Sequence, residues 1–174
     1  MRRLILLRHA KAERASASGR DLDRALAARG REDAAAIGAH MARHGLVPDR
    51  ALISPAARTR ETWTVISAAL SASPAAKFEE RLFNAAPETI LQAIREAPAD
   101  AHMLCVVAHN PGLQQVALLL AGSGDDEARS LIAEKLPTCG LVVIDAGIDA
   151  WSELQPGRGR LDRFVTPRLL RTAV

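Results

Sequence analysis

The run Met103-Leu104-Cys105-Val106-Val107-Ala108 constrains the fold of this chain more than any other stretch. It is apolar along its whole length, the pattern of a central parallel strand covered on both faces, and such a sheet requires helices above and below it. The run ends abruptly in His109-Asn110-Pro111-Gly112. Asparagine as N-cap and proline at N1 then predict a helix through Leu113, Val116, Leu119 and Leu120 that stops near Gly122.

The rest of the chain repeats that alternation. Leu4-Ile5-Leu6-Leu7 forms the apolar part of a first buried strand, Met1 to Leu7, and Arg29 to His44 reads as a helix ended by Gly45 in the C′ position. Ala51-Leu52-Ile53 is a short strand followed at once by Ser54-Pro55, a second N-cap and N1 pair that predicts a helix from Pro55 to about Leu70. A weak strand at Ala76-Lys77-Phe78 and a helix from Pro87 to Ala97 lead to the central run. Beyond it, Ser123 to Ala128 is loop or helix start, and Leu141 to Ile144 is a buried strand. The alternation Ala150-Trp151-Ser152-Glu153-Leu154 predicts an edge strand joined to it in an antiparallel hairpin. The tail from Pro156 is proline- and arginine-rich with little periodicity. The succession predicts a single α/β domain over residues 1–174: a three-layer sandwich with a mostly parallel central sheet flanked by helices.

Charge and cysteine usage narrow the function classes. Lys+Arg 23 against Asp+Glu 20 leaves a net charge of only +3, with local excesses from Met1 to Arg20 and from Arg158 to Arg171. These excesses suit an anionic substrate better than nucleic acid, because aromatic residues make up 3% of the chain and Tyr is absent, leaving little for base stacking. Cys105 and Cys139 lie in or beside apolar runs and read as buried free thiols of a reducing compartment. The apolar run after Arg2-Arg3 is too short for a signal peptide, and no stretch approaches a membrane span, so the expected location is cytoplasmic.

Three strand ends carry polar groups. Arg8 and His9 follow the first strand, Arg58 lies in the first turn of the helix after Ser54, and His109 ends the central run. In parallel sheets the ligand site lies beyond the carboxyl ends of the strands, where helix N-termini also favour anions. Arginine presents a planar fork of donors suited to a phosphoryl group, and histidine, with an ordinary pKa of about 6.5, is available as a neutral nucleophile. The plain alternative is that Arg8 caps a strand and His9 is a loop histidine. A metal site at His9 and His109 lacks a carboxylate or thiol partner at recognisable spacing, and the i, i+4 pair His40 and His44 lacks a third ligand, so a surface pair is the reading there. His102, before the central strand, reads as structural.

Taken together, Leu7-Arg8-His9-Ala10, the stretch Ser54-Pro55-Ala56-Ala57-Arg58-Thr59-Arg60-Glu61-Thr62, and Val107-Ala108-His109-Asn110-Pro111-Gly112 resemble the histidine phosphatase superfamily, with its phosphoglycerate mutase-like fold. The combination Arg8-His9-Ala10-Lys11-Ala12-Glu13, the short length and Ala108-His109-Asn110-Pro111-Gly112 are similar to the small bacterial SixA-type phosphohistidine phosphatases. The likeness runs from Met1 to about Asp145. It implies that His9 is the nucleophile that becomes phosphorylated, that Arg8, Arg58 and His109 surround the phosphoryl oxygens as catalytic and substrate-binding groups, and that Asn110 belongs to the substrate-binding set. No metal and no cofactor are implied.

Two departures from the family pattern bear on substrate. Arg-His-Gly reads Arg8-His9-Ala10 here, and in Glu79-Glu80-Arg81-Leu82-Phe83-Asn84 the position of the general acid used by sugar-phosphate relatives is taken by Asn84, with Glu80, Glu88 and Asp21 as alternative acids. A sugar alkoxide leaves poorly without a proton, whereas an imidazole needs much less help. The segment between Arg58 and His109 is too short for a large lid insertion, so the site is expected to be open, as suits a phosphorylated protein. The expected activity is a metal-independent phosphatase acting on phosphohistidine in a protein partner. A small-molecule phosphomonoesterase and a non-catalytic phosphoprotein-binding module are the alternatives.

Overall fold

In the computed structural model, which describes residues 1–172, seven strands form one sheet in the order β3-β2-β4-β1-β6-β7-β5. The strands are β1 Arg2–Arg8, β2 Arg50–Ile53, β3 Ala75–Phe78, β4 Met103–Ala108, β5 Ala121–Gly124, β6 Leu141–Ala146 and β7 Gly159–Val165. The helices are α1 Ala28–Arg43, α2 Ala57–Ala68, α3 Pro87–Arg95, α4 Gly112–Leu120, α5 Asp126–Glu134 and α6 Pro167–Thr172. β4 pairs in parallel with both β1 and β2, while β6 runs antiparallel between β1 and β7. This is the three-layer α/β sandwich expected of the phosphoglycerate mutase-like fold. No large insertion interrupts it: between Arg58 and His109 lie the rest of α2, β3, a short 3-10 turn, α3 and β4.

The layering follows from strand periodicity. In β1, Leu4 and Leu6 join the cluster formed by α3, α4 and α5 (Ile90, Ile94, Leu113, Leu120, Ile132), whereas Ile5 and Leu7 join the opposite cluster with Ile37, Met41, Trp63 and Ile66 of α1 and α2. Leu4, Ile5, Leu6 and Leu7 are all 2% exposed or less, so burial of each side chain contributes about 1.5–3 kcal/mol to holding β1 at the centre. Cys105 and Cys139 are buried free thiols, and burial pushes the Cys105 thiol up to about 12. No described helix is long and apolar enough to cross a membrane.

Four local expectations are corrected. Ala150–Leu154 is not an edge strand: Trp151–Glu153 is a 3-10 turn whose indole N–H donates to the Ala101 carbonyl at 2.6 Å. The Glu153 carboxylate accepts from the N–H groups of Asp149 and Ala150, which closes the turn. The strand that completes the antiparallel pair comes instead from the tail, as β7, where a register shift between Leu161 and Arg163, opposite Ile144 and Val143 of β6, breaks the alternation that marks a strand. Past Leu120 the chain does not turn at Gly122 but continues as the short strand β5, which the reading of a loop missed; the helix start expected there is α5, N-capped by Asp125, whose carboxylate accepts from Ala128 N–H. Finally, both predicted capping pairs are displaced. α2 starts at Ala57 rather than Pro55, and Ser54 does not cap it; α4 starts at Gly112, although the Asn110 side chain still accepts from the Gln114 N–H at 3.2 Å.

Candidate active site

β1, β2 and β4 end side by side, so the residues after them share one edge of the sheet. His9 follows β1, His109 follows β4, and their rings lie 5.3 Å apart, centroid to centroid. Thr62 of α2 ties this junction together, its hydroxyl accepting from Ala10 N–H while donating to the Arg58 carbonyl. Glycines make the approach tight. A side chain at Gly30 would strike the Lys11 carbonyl, and one at Gly112 would strike the Ala85 carbonyl, so both loops are pressed onto helices where only hydrogen fits.

The two imidazoles are set up differently. The Nδ1 of His9 lies 2.8 Å from the Ala10 carbonyl, which can only accept, so Nδ1 carries the proton and Nε2 keeps its lone pair. Burial, with the charges of Arg58 and Arg8 nearby, pulls the His9 pKa down to about 4 despite that hydrogen bond. The Nε2 of His109 lies 2.6 Å from the Ser54 hydroxyl, leaving Nδ1 without a protein partner. Burial and the neighbouring His9 and Arg58 lower its pKa to about 3. Both rings are therefore neutral at pH 7.

The guanidiniums crowd the same place. Arg58 is 3% exposed and donates through its two terminal nitrogens to the backbone and side chain of Asp21, at 2.9 and 3.1 Å. Arg8 donates to the Leu136 carbonyl, and burial together with the charge of Arg58 lowers its pKa. Among the described residues only four buried side-chain N or O atoms lack a hydrogen-bond partner, and three of them are Arg8 Nε, Arg58 Nε and His109 Nδ1. Buried cations that repel one another and retain free nitrogens are costly unless an anion joins them. The arrangement sets unpartnered N–H donors of two guanidiniums and one imidazole beside a second imidazole with a free lone pair.

The other candidates fall elsewhere. The Asn110 amide donates to the Leu136 carbonyl at 2.9 Å and to Gln114, so it organises the loop before β6. Asn84 is exposed with a positive φ of 50°, a conformation asparagine tolerates better than most residues. Glu80 and Glu88 are exposed. Partial burial opposes ionisation of Asp21, yet hydrogen bonds from Arg24 and Arg58 hold its carboxyl below the ordinary range. Arg81 likewise pulls Glu79 down to about 2. His40 and His44 stack on α1 with ring centroids 4.2 Å apart, and His102 is exposed.

Two contributors were not identified from sequence. Ser54 reads as a helix cap but orients His109, and the only hint was that a serine ends the strand adjoining β4. Phe83 meets the His109 ring edge-on at 5.5 Å and lies under the Arg58 guanidinium at 5.8 Å. No periodicity marks it, because it belongs to an irregular turn.

The description of the histidine phosphatase superfamily (branch 1) matches residues 4–100. Over 164 residues the chain is 34% identical to the uncharacterized protein Rv1276c of Mycobacterium tuberculosis, covering 93% of this chain and 100% of that one. A crystal structure of a candidate phosphohistidine phosphatase SixA from Agrobacterium tumefaciens is 31% identical and superposes with a TM-score of 0.81 over 95% of this chain and 98% of that one. A second SixA candidate, from Nakamurella multipartitia, is 27% identical with a TM-score of 0.82, over 95% and 96% of the two chains. The chain belongs to the histidine phosphatase superfamily, as a phosphatase of its SixA-type branch.

Proposed function

We propose that residues 1–174 form one metal-independent, cytoplasmic phosphatase domain that removes the phosphoryl group from phosphohistidine in a protein partner through a phosphohistidine intermediate at His9. The observation that carries this reading is the set of partnerless buried nitrogens, Arg8 Nε, Arg58 Nε and His109 Nδ1, gathered round a histidine whose Nε2 is unprotonated. With the Ser54 hydroxyl donating to His109 Nε2, the ring proton sits on Nδ1 and donates to a phosphoryl oxygen. The lone pair of His9 Nε2 attacks phosphorus, the P–N bond to the substrate breaks, and the electron pair of that bond leaves with the substrate imidazole. Protonated beforehand on its other nitrogen, that ring departs neutral. Water then attacks the phosphorus on His9, its P–N bond breaks, and phosphate is released. Charge stabilisation by two guanidiniums and an imidazole is what phosphoryl transfer chiefly requires.

The leaving group follows from the acids. Asp21, which pairs with Arg58, is held ionised, and Asn84 carries no acidic proton, so an alkoxide would leave unaided while an imidazole already protonated on its other nitrogen needs much less help. The relatives named as SixA phosphohistidine phosphatase candidates support the same substrate class. The test is a substrate panel of free phosphohistidine, a phosphohistidine-bearing protein, sugar phosphates and phosphoserine, assayed with chelator present. The two phosphohistidine substrates are expected to turn over at least about a hundredfold faster than the esters, with His9→Ala inactive. Faster turnover of sugar phosphates would establish the phosphomonoesterase alternative, and full activity in His9→Ala would refute the mechanism.

A further inference from the structure

A cavity that this mechanism does not use opens on the same edge of the sheet. It has a volume of about 260 Å³ and is lined by Lys11, Arg29, Asp33, Thr138, Arg168 and Arg171 among others. Four cations thus face one carboxylate, and Asp33 is already paired with Arg171 at 3.0 Å and Arg29 at 3.5 Å. Among the described residues Lys11 and Arg168 have no acidic partner within 4.0 Å. The excess at this one cavity equals the +3 of the whole chain, so elsewhere positive and negative side chains balance.

Its position relative to His9 is set by the sheet register. Leu7 pairs with Leu141, and Leu141 with Val165, so the ends of β1 and β7 lie level and two strand spacings, about 10 Å, apart. Lys11 lies two residues after His9, and Thr138 belongs to the loop whose Cys139 N–H donates to the Arg8 and His9 carbonyls. Beside this cavity a second depression of about 320 Å³ shares Pro137, Thr166 and Arg168 with it and adds Leu131, Phe164 and Leu169 together with one further carboxylate and one further cation, Glu134 and Lys135. Leu131 and Leu169 are 42% and 46% exposed and line the same depression with Phe164, rather than being scattered singly.

We propose that the cationic cavity and its apolar shelf form the docking surface for the phosphorylated protein partner. An acidic segment of that partner places carboxylates at Lys11 and Arg168 and apolar side chains on Leu131, Phe164 and Leu169. The proposal rests on the reading of the site as a protein phosphohistidine phosphatase. A free metabolite seated at His9 does not reach Arg168 and Leu169, which follow β7 two strand spacings, about 10 Å, from β1, whereas a folded partner whose phosphohistidine reaches His9 overlies this edge. Mixed charge and apolar surface matches an acidic, amphipathic protein segment. A nucleic acid would find only Phe164 to stack on.

The test uses the full chain with three phosphorylated probes: free phosphohistidine, a synthetic phosphohistidine peptide flanked by Glu and Leu, and the same peptide with Gln for Glu. Binding of the unphosphorylated Glu peptide is measured separately by fluorescence anisotropy. The wild type is expected to favour the Glu peptide over the Gln peptide about tenfold, through KM rather than kcat. Arg168→Glu should abolish that preference and weaken peptide binding about tenfold while leaving turnover of free phosphohistidine unchanged; about 0.5 M salt should do the same. Leu169→Ser should weaken both peptides alike. If the wild type binds the Glu peptide and Arg168→Glu does not, while no phosphohistidine probe is hydrolysed, the docking surface stands and the substrate reading falls. Equal KM for the two peptides with free phosphohistidine turned over would overturn the docking proposal, as would an oligonucleotide of equal charge displacing the Glu peptide more strongly than the peptide itself.

Discussion

His9 and His109 are both neutral at pH 7, yet each presents a different nitrogen because each is tied by a different partner: a carbonyl on Nδ1 of His9, a hydroxyl on Nε2 of His109. Ser54→Ala frees the His109 tautomer, and the loss of one hydrogen bond of about 1–1.5 kcal/mol predicts a roughly tenfold fall in kcat with the fold intact by circular dichroism. The burial that keeps the rings neutral also sets a pH dependence. A folded pKa of about 4 for His9 lies below the unfolded value near 6.5, so unfolding binds protons and stability falls as pH drops from about 6.5 towards 4. NMR titration of the His9 ring should show no protonation above about pH 5, and denaturant midpoints should be level from pH 7 to 8 and decline below about 6.5; a His9 midpoint near 6.5 would contradict the buried geometry. Histidine and arginine identities were legible in the sequence because their chemistry is carried by the residue itself. Ser54 was misread because Ser-Pro is also a helix-start signal, and only the neighbouring strand decides where a hydroxyl turns.

At the scale of elements, strands were legible where burial on both faces produced unbroken apolar runs, as in β4 and β6, and helices where an apolar face met a clear stop such as Gly45, at φ 67°. The misreadings share one cause. Alternation at Ala150–Leu154 mimics a strand because a 3-10 turn also buries Trp151 and Leu154 around an exposed Ser152 and Glu153, whereas β7 loses its period at a register shift. The turn that holds Phe83 had no period to read, and its placement depends on α4 lying against Ala85. Gly112→Ala inserts a methyl into that contact and is expected to cost about 1–3 kcal/mol and to lower kcat by displacing His109 and Phe83 together, measured by urea unfolding and steady-state rates. Unchanged stability in that variant would show that the loop and helix are not pressed together.

At the scale of the whole molecule, three β-α junctions widely separated in sequence meet because parallel strands place all their carboxyl ends on one edge. That convergence was legible, since alternating strands and helices leave few topologies; the antiparallel β6 and the late strand β7, which bring the arginine-rich tail to the same edge, were not. The proposed function turns on one event, transfer of the phosphoryl group onto His9. The most direct measurement is rapid quench of the enzyme with 32P-labelled phosphohistidine protein, followed by peptide mapping. The label should appear on the peptide containing His9, be stable to alkali and lost in acid, and be absent from His9→Ala; label that never resides on the enzyme during turnover, or that maps to another residue, would contradict it.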